Sequence, residues 1–242
     1  MTHAIRTTLQ KAILFMVVLL VPPAAIAETV TLATHELYPY GYHDSANNFT
    51  GYAVERVRFA TARCGYNLEL LVLPWPRAQA LAKTDSVDGF FAGSLNDERK
   101  TLYVASAVLA PQNWTWYMLR NTPLTPDSPS FKKKAKVGSF IGANMLTYLE
   151  QNGFNIAGTP KDTSGLFHML LGKRLDAILA NELVARKLIE EQGIDPVVRS
   201  QILKSEPLHA LFTQRFIREN PNFLESFNAA LAEFEARHHS NR

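Results

Sequence analysis

Cysteine is almost absent from this sequence of 242 residues, which contains only Cys64. No intramolecular disulfide can form, so a small fold held together by disulfides is excluded. Glycine and proline, at 12 and 13 residues, are too few for a collagen-like or low-complexity chain. With 47% hydrophobic and 19% charged residues, the composition is that of a globular protein.

The sequence also lacks a large excess of positive or negative charge. The formal net charge is +3, and removal of Arg6 and Lys11, which lie in an N-terminal leader described next, leaves 23 basic against 22 acidic residues. The longest basic block is Lys132–Lys134. Nucleic-acid binding needs a concentrated positive surface, so we expect no nucleic-acid partner.

Long hydrophobic runs are confined to the N-terminus. Two basic residues precede an unbroken apolar run from Ala12 to Val21, which Pro22-Pro23 and then Ala25-Ile26-Ala27 follow. This run is shorter than the roughly 20 residues that a membrane-spanning helix needs. The pattern predicts a secretory signal peptide over residues 1–27 and export of the mature protein.

The mature chain alternates between strand-like and helix-like segments. Strands are predicted over residues 29–33, 67–73 and 87–92, with a helix over residues 53–64 between the first two and a short helix over residues 76–82 between the last two. A βαβαβ pattern implies parallel strands joined by right-handed crossovers.

A second copy of this pattern follows the first. Gly65-Tyr66-Asn67 recurs as Gly153-Phe154-Asn155, and the strand 87–92 recurs as 175–180, both at an offset of 88 residues. This constant spacing favours two similar α/β lobes, and two extended segments between them, residues 113–118 and 209–214, would form a hinge. The predicted domains are a signal peptide at 1–27, lobe 1 at 28–118 with 212–242, and lobe 2 at 119–211.

Common catalytic motifs are missing. The sequence has no His-Glu-x-x-His, Gly-x-Ser-x-Gly, Gly-x-Gly-x-x-Gly or phosphate-binding loop, and its histidines have no metal-ligand spacing outside the terminal pair. We therefore expect no enzyme activity, no catalytic residue, no cofactor and no metal.

Ligands of open parallel sheets bind beyond the carboxyl ends of the strands. The loops that follow the predicted strands contain several polar and aromatic residues, and Trp75 ends the middle strand of the first lobe. These candidates are His35, Tyr38, Tyr40, Tyr42, Ser94, Asn96, Arg99, Ser139, Asn144, Asn181 and Glu182.

At these positions the sequence resembles the bacterial family 3 solute-binding proteins, periplasmic receptors typified by polar amino-acid-binding proteins. The resemblance is carried by short motifs in their family order, over nearly all of residues 29–236. They are Tyr38-Pro39-Tyr40-Gly41-Tyr42-His43-Asp44, Gly51-Tyr52, Trp75, Val87-Asp88, Ser94 with Glu98-Arg99-Lys100, Val137-Gly138-Ser139 and Leu175-Asp176-Ala177.

The resemblance implies an α/β, two-lobed type II periplasmic binding protein fold. Such a protein captures a small polar, carboxylate-bearing ligand by lobe closure, acts as a monomer and presents the ligand to an inner-membrane ABC permease. Two alternatives stay open on the same fold: a receptor that signals to a sensor kinase or chemoreceptor, and a hydro-lyase.

The resemblance also implies roles for individual residues. Arg99 would hold a ligand carboxylate through its planar guanidinium, although a solvated helix charge is the alternative. Its neighbours in the predicted ligand site are Tyr38, Tyr42, Trp75, Ser94, Asn144 and Asn181. The resemblance assigns no role to Arg77, and the sequence leaves open whether this residue lies in the cleft or on the surface.

The sequence departs from the family at the predicted ammonium site. Relatives that bind α-amino acids usually have an aspartate there, but this chain has Asn181. The hydroxyl often found at the helix entry of the second lobe falls near Ala143. An uncharged amide loses the ion pair to an ammonium. We therefore expect a carboxylate-bearing solute without a free α-amino group to bind better than the common amino acids.

Overall fold

The structure is a computed structural model that describes residues 27–239. The predicted signal peptide lies outside the described residues, apart from Ala27. In chain order the strands are β1 (Thr29–Thr34), β2 (Tyr42–His43), β3 (Phe49–Thr50), β4 (Asn67–Val72), β5 (Gly89–Gly93), β6 (Tyr103–Ala105), β7 (Asn113–Leu119), β8 (Val137–Gly138), β9 (Ile156–Gly158), β10 (Ala177–Asn181), β11 (Val198–Ser205) and β12 (His209–Thr213).

The helices surround two five-stranded sheets, and β2 and β3 form a separate antiparallel hairpin. In chain order they are α1 (Tyr52–Arg63), α2 (Trp75–Lys83), α3 (Asp97–Leu102), α4 (Phe131–Lys134), α5 (Asn144–Gln151), α6 (Thr163–Leu171), α7 (Glu182–Gln192), α8 (Gln214–Glu219) and α9 (Phe223–His239), with a short 3₁₀ helix at Asp195–Val197. Between residues 27 and 239, none of these helices has the length and hydropathy of a membrane span.

The first lobe is built on a sheet with the strand order β4-β1-β5-β12-β6. Strand β1 is parallel to both β4 and β5, whereas β12 is antiparallel to β5 and β6. The predicted strands and helices of the first βαβαβ unit are therefore confirmed. Pro76 lies in the first turn of α2, where its missing N–H leaves no helical bond unmade.

The second lobe repeats this arrangement in a sheet with the order β11-β7-β10-β8-β9. Strand β8 is parallel to β9 and β10, and β7 is antiparallel to β10 and β11. The predicted architecture of two similar α/β lobes is confirmed.

The 88-residue repeat has a structural basis. Asp88 Oδ2 accepts a hydrogen bond from Thr31 N, and Asp176 Oδ2 accepts one from Lys136 N, both at 2.8 Å. Each aspartate thus ties the strand it precedes to the neighbouring parallel strand. Gly65 and Gly153, which follow α1 and α5, have φ of +80° and +68°, a conformation that glycine adopts without steric cost.

Both connections between the lobes differ from the prediction. The chain leaves the first sheet after β6 and joins the second at β7, then leaves it after β11 and returns at β12. The predicted hinge segments are therefore sheet strands. Strand β7 belongs to the second sheet, although the predicted boundary at 118/119 places residues 113–118 in lobe 1. Strand β12 belongs to the first sheet, although the boundary at 211/212 places residues 209–211 in lobe 2. The physical reason is pairing: β7 is a buried central strand with a partner on each side.

The two crossings run side by side. Leu208 N donates to Ala110 O at 2.9 Å, and Glu206 N donates to Gln112 O at 2.8 Å. Two short antiparallel connections allow the lobes to rotate about them while each sheet stays intact.

Candidate functional site

A cavity of about 30 Å³ lies between the lobes, beyond the carboxyl ends of β1, β5 and β10. This volume accommodates roughly two water molecules. The lining residues are His35, Leu37, Trp75, Ala92, Gly93, Ser94, Arg99, Gln112, Phe140, Ala143, Asn144, Met145, Asn181 and Leu208. The cavity therefore contains five of the seven predicted site residues: Trp75, Ser94, Arg99, Asn144 and Asn181.

A β-bulge shapes the first-lobe wall of the cavity. His209 pairs with Gly93 and Ala210 pairs with Phe91, so Ala92 is the unpaired residue between them. Its φ is +62°, a left-handed conformation that is uncommon for a residue with a Cβ. Bulges change the direction of the chain that follows them, and here that chain is Gly93 and Ser94.

Arg99 is held in the cavity wall by its neighbours. Asn96 caps α3 by accepting a 2.7 Å bond from Arg99 N. The guanidinium donates to Ser94 O at 2.7 Å and to Gln79 Oε1 at 2.5 Å. Its Cζ lies 5.4 Å from the centroid of the Trp75 ring, within the range of a cation–π contact.

Arg99 has no carboxylate partner among residues 27–239, although its residue surface is only 5% exposed. Burial lowers the pKa of the guanidinium to about 10, while Tyr103 and then Glu98 oppose that change. The group still carries its charge near neutral pH. A buried cation with only neutral acceptors is incompletely compensated, and an anion at the site would stabilise it.

Asn144, the first residue of α5, links the two lobes across the cavity. Its Nδ2 donates to Ser94 O at 2.7 Å and to Ser94 Oγ at 3.0 Å, and its Oδ1 accepts from Asn96 Nδ2 at 2.8 Å. Ser94 and Asn144 therefore bind each other in the closed arrangement of the lobes.

A second contact between the lobes joins α2 to the loop before α5. Trp75 Nε1 and Gln79 Nε2 both donate to Gly142 O, at 3.0 Å and 3.2 Å. Gly142 has φ of +79°, and a Cβ there would lie 3.1 Å from Gln79 Nε2 and 3.3 Å from Pro76 Cγ. The positive φ and the tight contacts with α2 both favour a glycine at this position in the closed arrangement.

We expect Gly142→Ala to oppose lobe closure, because the added methyl group would crowd α2 of the other lobe. Small-angle scattering of the mature protein should give a larger radius of gyration than the wild type. Gly153→Ala is the matched control, since Gly153 also has a positive φ but would place no atom within 4 Å of its new Cβ. Both variants should lose about 1 kcal/mol of stability to backbone strain. An unchanged radius in Gly142→Ala would contradict this role.

Asn181 ends β10 and caps α7. Its Oδ1 accepts bonds from Leu183 N at 2.9 Å and Val184 N at 3.2 Å, which occupies the acceptor end of the amide. The Nδ2 group faces Tyr40 Oη at 3.4 Å. Asn181 therefore has only a donor to offer a ligand in the cavity, and an ammonium needs an acceptor.

Glu182 does not replace the missing acid. Its carboxylate accepts bonds from Asn113 Nδ2 at 2.8 Å and from Arg186 Nη2 at 2.5 Å, and it is absent from the lining. No aspartate or glutamate lines the cavity formed by the described residues.

Tyr38 and Tyr42, predicted as cavity walls, lie outside the lining. Leu37 and Gly41 exchange backbone hydrogen bonds of 2.7 Å and 3.0 Å, and this tight turn leaves Leu37 in the cavity wall. The two tyrosine rings instead pack on each other at 4.9 Å between centroids. Lys187 of the second lobe lies 4.2 Å from the Tyr38 centroid, so this pair contacts α7. Tyr40, the third tyrosine of this loop, is buried.

His35 is the main cavity residue that the predicted site omits, although its loop was a candidate. It follows β1 directly, and its ring lies 4.2 Å from the Trp75 ring centroid at an interplanar angle of 31°. Gln79, which binds Arg99, and Gln112 of the first crossing were also missed. Position after a strand end could have indicated His35, but no sequence signal indicated the glutamines. Arg77 lies exposed on α2 and does not line the cavity.

The fold and this inter-lobe site define a solute-binding protein. The sequence model of the bacterial extracellular solute-binding proteins, family 3, matches residues 30–241. The chain belongs to this family, whose members work outside the cytoplasm, and the predicted family resemblance is confirmed. No curated protein sequence matches the chain.

Solved structures with the same fold include both binding proteins and a sensor domain. The chain is similar to the GluR0 ligand-binding core from Nostoc punctiforme in complex with L-glutamate, with 17% identity, a TM-score of 0.72, and coverage of 86% of this chain and 93% of that one. It is similar to an arginine-bound truncated ArgBP from T. maritima, with 17% identity, a TM-score of 0.70, and coverage of 86% and 96%. A histidine kinase sensor domain has 16% identity, a TM-score of 0.75, and coverage of 88% and 92%. At these identities the likeness shows a shared fold.

Proposed function

We propose that this protein is a periplasmic receptor that closes over a small carboxylate-bearing solute without an α-ammonium group. The observation that carries the proposal is the buried guanidinium of Arg99. It is the only permanently charged side chain in the lining, and it has no carboxylate partner among the described residues. A ligand carboxylate would supply the missing negative charge.

The geometry of Arg99 suits this ligand. Two of its N–H groups are used by Ser94 O and Gln79 Oε1, which hold the guanidinium plane in place. The remaining N–H groups can form the paired bonds that a carboxylate accepts. The ring centroids of Trp75 and Phe90 lie 5.4 Å and 5.6 Å from the Arg99 Cζ atom. Because these rings confine the guanidinium, it has little orientational freedom to lose when a ligand binds.

The lack of a free acidic side chain in the cavity formed by residues 27–239 supports the second half of the proposal. Asn181 uses its amide oxygen to cap α7, and the Glu182 carboxylate is bound to Asn113 and Arg186. An ammonium in the cavity would meet the Arg99 cation without an acid to balance it. Leaving a desolvated cation unpaired costs several kcal/mol.

The cavity is too small to hold an organic ligand while the lobes keep this arrangement. Its volume of about 30 Å³ is far below the roughly 300 Å³ of ordinary ligand pockets. Entry therefore requires the lobes to part, with loss of the Ser94–Asn144 and Trp75–Gly142 bonds. The bound ligand would then replace part of these contacts between the lobes.

Two downstream partners fit the proposed receptor. Delivery to an inner-membrane ABC permease is the first, in keeping with the family. Signalling to a sensor protein is the second, and the similarity to a histidine kinase sensor domain supports it as an alternative. Loss of uptake of the labelled ligand in a strain lacking this protein would support transport. Unchanged uptake with a lost transcriptional response would support sensing.

We expect organic acids to stabilise the mature protein more than the common amino acids do. A thermal-shift screen checks this, because a bound ligand raises the melting temperature by mass action. Each acid is paired with the amino acid of the same carbon skeleton, so that only the ammonium differs. A strong shift with ordinary α-amino acids and none with their paired acids would contradict the proposal. Conversion of a bound acid, followed by NMR, would instead support the hydro-lyase alternative.

A further inference from the structure

His35 has an unusual environment inside the cavity. Its residue surface is 8% exposed, and neither Nδ1 nor Nε2 has a hydrogen-bond partner among residues 27–239. Burying a polar group without a partner is unfavourable, so such groups need an explanation. His35 lines the same cavity as Arg99, and its ring packs at an angle of 31° against the ring of Trp75.

The imidazole is uncharged near neutral pH. Burial, and after it the nearby Arg99 cation, lower the pKa of His35 from its ordinary value of 6.5 to about 3. A neutral imidazole has one N–H donor and one nitrogen acceptor. His35 can therefore add a hydrogen bond of either polarity to a ligand, but it cannot add charge.

We propose that His35 binds a hydroxyl group of the ligand, so that the preferred ligands are small hydroxycarboxylates. This inference rests on the proposed function, in which Arg99 holds the carboxylate. A hydroxyl both donates and accepts, so it can pair with whichever nitrogen it meets in either tautomer. A keto oxygen only accepts and needs the N–H side. An ammonium only donates and adds a second cation beside Arg99.

Matched acids test the preference directly. The probes are hydroxy acids of two to six carbons, each with its deoxy, oxo and amino counterparts, such as lactate with propionate, pyruvate and alanine. Calorimetry on the mature protein should show a hydroxy acid binding about tenfold more tightly than its deoxy counterpart, as expected for one hydrogen bond to an otherwise unpartnered group. Equal affinities of hydroxy and deoxy acids at every chain length would overturn the inference.

The outcomes separate this inference from the proposed function. If deoxy acids bind but hydroxy acids bind no better, Arg99 still receives a carboxylate and only the role of His35 fails. If no carboxylate binds in any set, the proposed function fails and the inference fails with it.

The variant His35→Leu assigns the preference to this residue. It has similar volume and removes both unpartnered nitrogens. We expect it to bind hydroxy and deoxy acids with equal affinity. His35→Gln keeps a donor and an acceptor and should restore part of the preference.

His43→Leu is the matched control, since His43 lies on the neighbouring hairpin and its side chain is 38% exposed. It should keep the full hydroxyl preference. Melting temperatures of all three variants verify that they fold. A folded His35→Leu that still prefers hydroxy acids would overturn the assignment.

Discussion

Replacing Arg99 with methionine is expected to weaken binding of the ligand carboxylate by at least about 30-fold, equivalent to about 2 kcal/mol. The Arg99 cation is the charged group that can pair with the ligand, and methionine leaves the ligand carboxylate buried without a partner. Calorimetry with the acid identified by the thermal-shift screen measures the change.

The same substitution should leave the ligand-free protein as stable as the wild type or more so. Arg99 is a buried cation without a carboxylate partner in the described part of the chain, and replacing such a charge by an apolar side chain is often neutral or stabilising. Ser94 O keeps its bond from Asn144 Nδ2 at 2.7 Å, so it does not become unpaired. A variant that loses affinity while its melting temperature holds therefore separates binding from folding.

Arg77→Met is the matched control for charge. Arg77 lies on α2 of the same lobe, but it is exposed and outside the cavity lining. Its replacement should leave affinity within about twofold of the wild type, since exposed charges contribute little. Undiminished affinity of Arg99→Met for the acid would contradict the assignment of Arg99.

Acid is expected to destabilise the ligand-free protein through His35. The pKa of this imidazole is about 3 in the folded protein, against an ordinary value of 6.5 that applies when it is unfolded. Because the unfolded chain binds the proton more tightly, the contribution of His35 to stability is fully present above pH 6.5 and declines as the pH falls toward 3. At pH 5 the loss is about 2 kcal/mol.

The comparison of wild type with His35→Leu isolates this effect from the titration of carboxylates. The free energy of unfolding, measured in urea from pH 8 to pH 5, should fall about 2 kcal/mol further in the wild type than in the variant. The exposed residue His43, replaced in His43→Leu, controls for the loss of a histidine elsewhere. Parallel curves for the wild type and His35→Leu would show that His35 is not buried as a neutral ring.

Much of the fold could be predicted because its signals are local. Gly65 and Gly153 end helices through a backbone conformation that glycine favours, and Asp88 and Asp176 recur at the same spacing because each ties two parallel strands together. The lobe boundaries were less predictable. An apolar strand such as β7 can pair in either sheet, and its local sequence does not determine which strands it pairs with.

The same distinction between local and long-range signals applies to the candidate site. By itself, the sequence determined the two-lobed architecture and pointed to Arg99, Trp75, Ser94, Asn144 and Asn181, since strand ends locate the cleft. Only the tertiary structure decided what these residues do there. The bulge at Ala92, the hydrogen bond between Ser94 and Asn144 and the burial of the His35 ring depend on contacts between segments far apart in the chain. Hydrogen-bond partners and burial arise from such contacts, so the polarity of the cavity could not be predicted from the sequence alone.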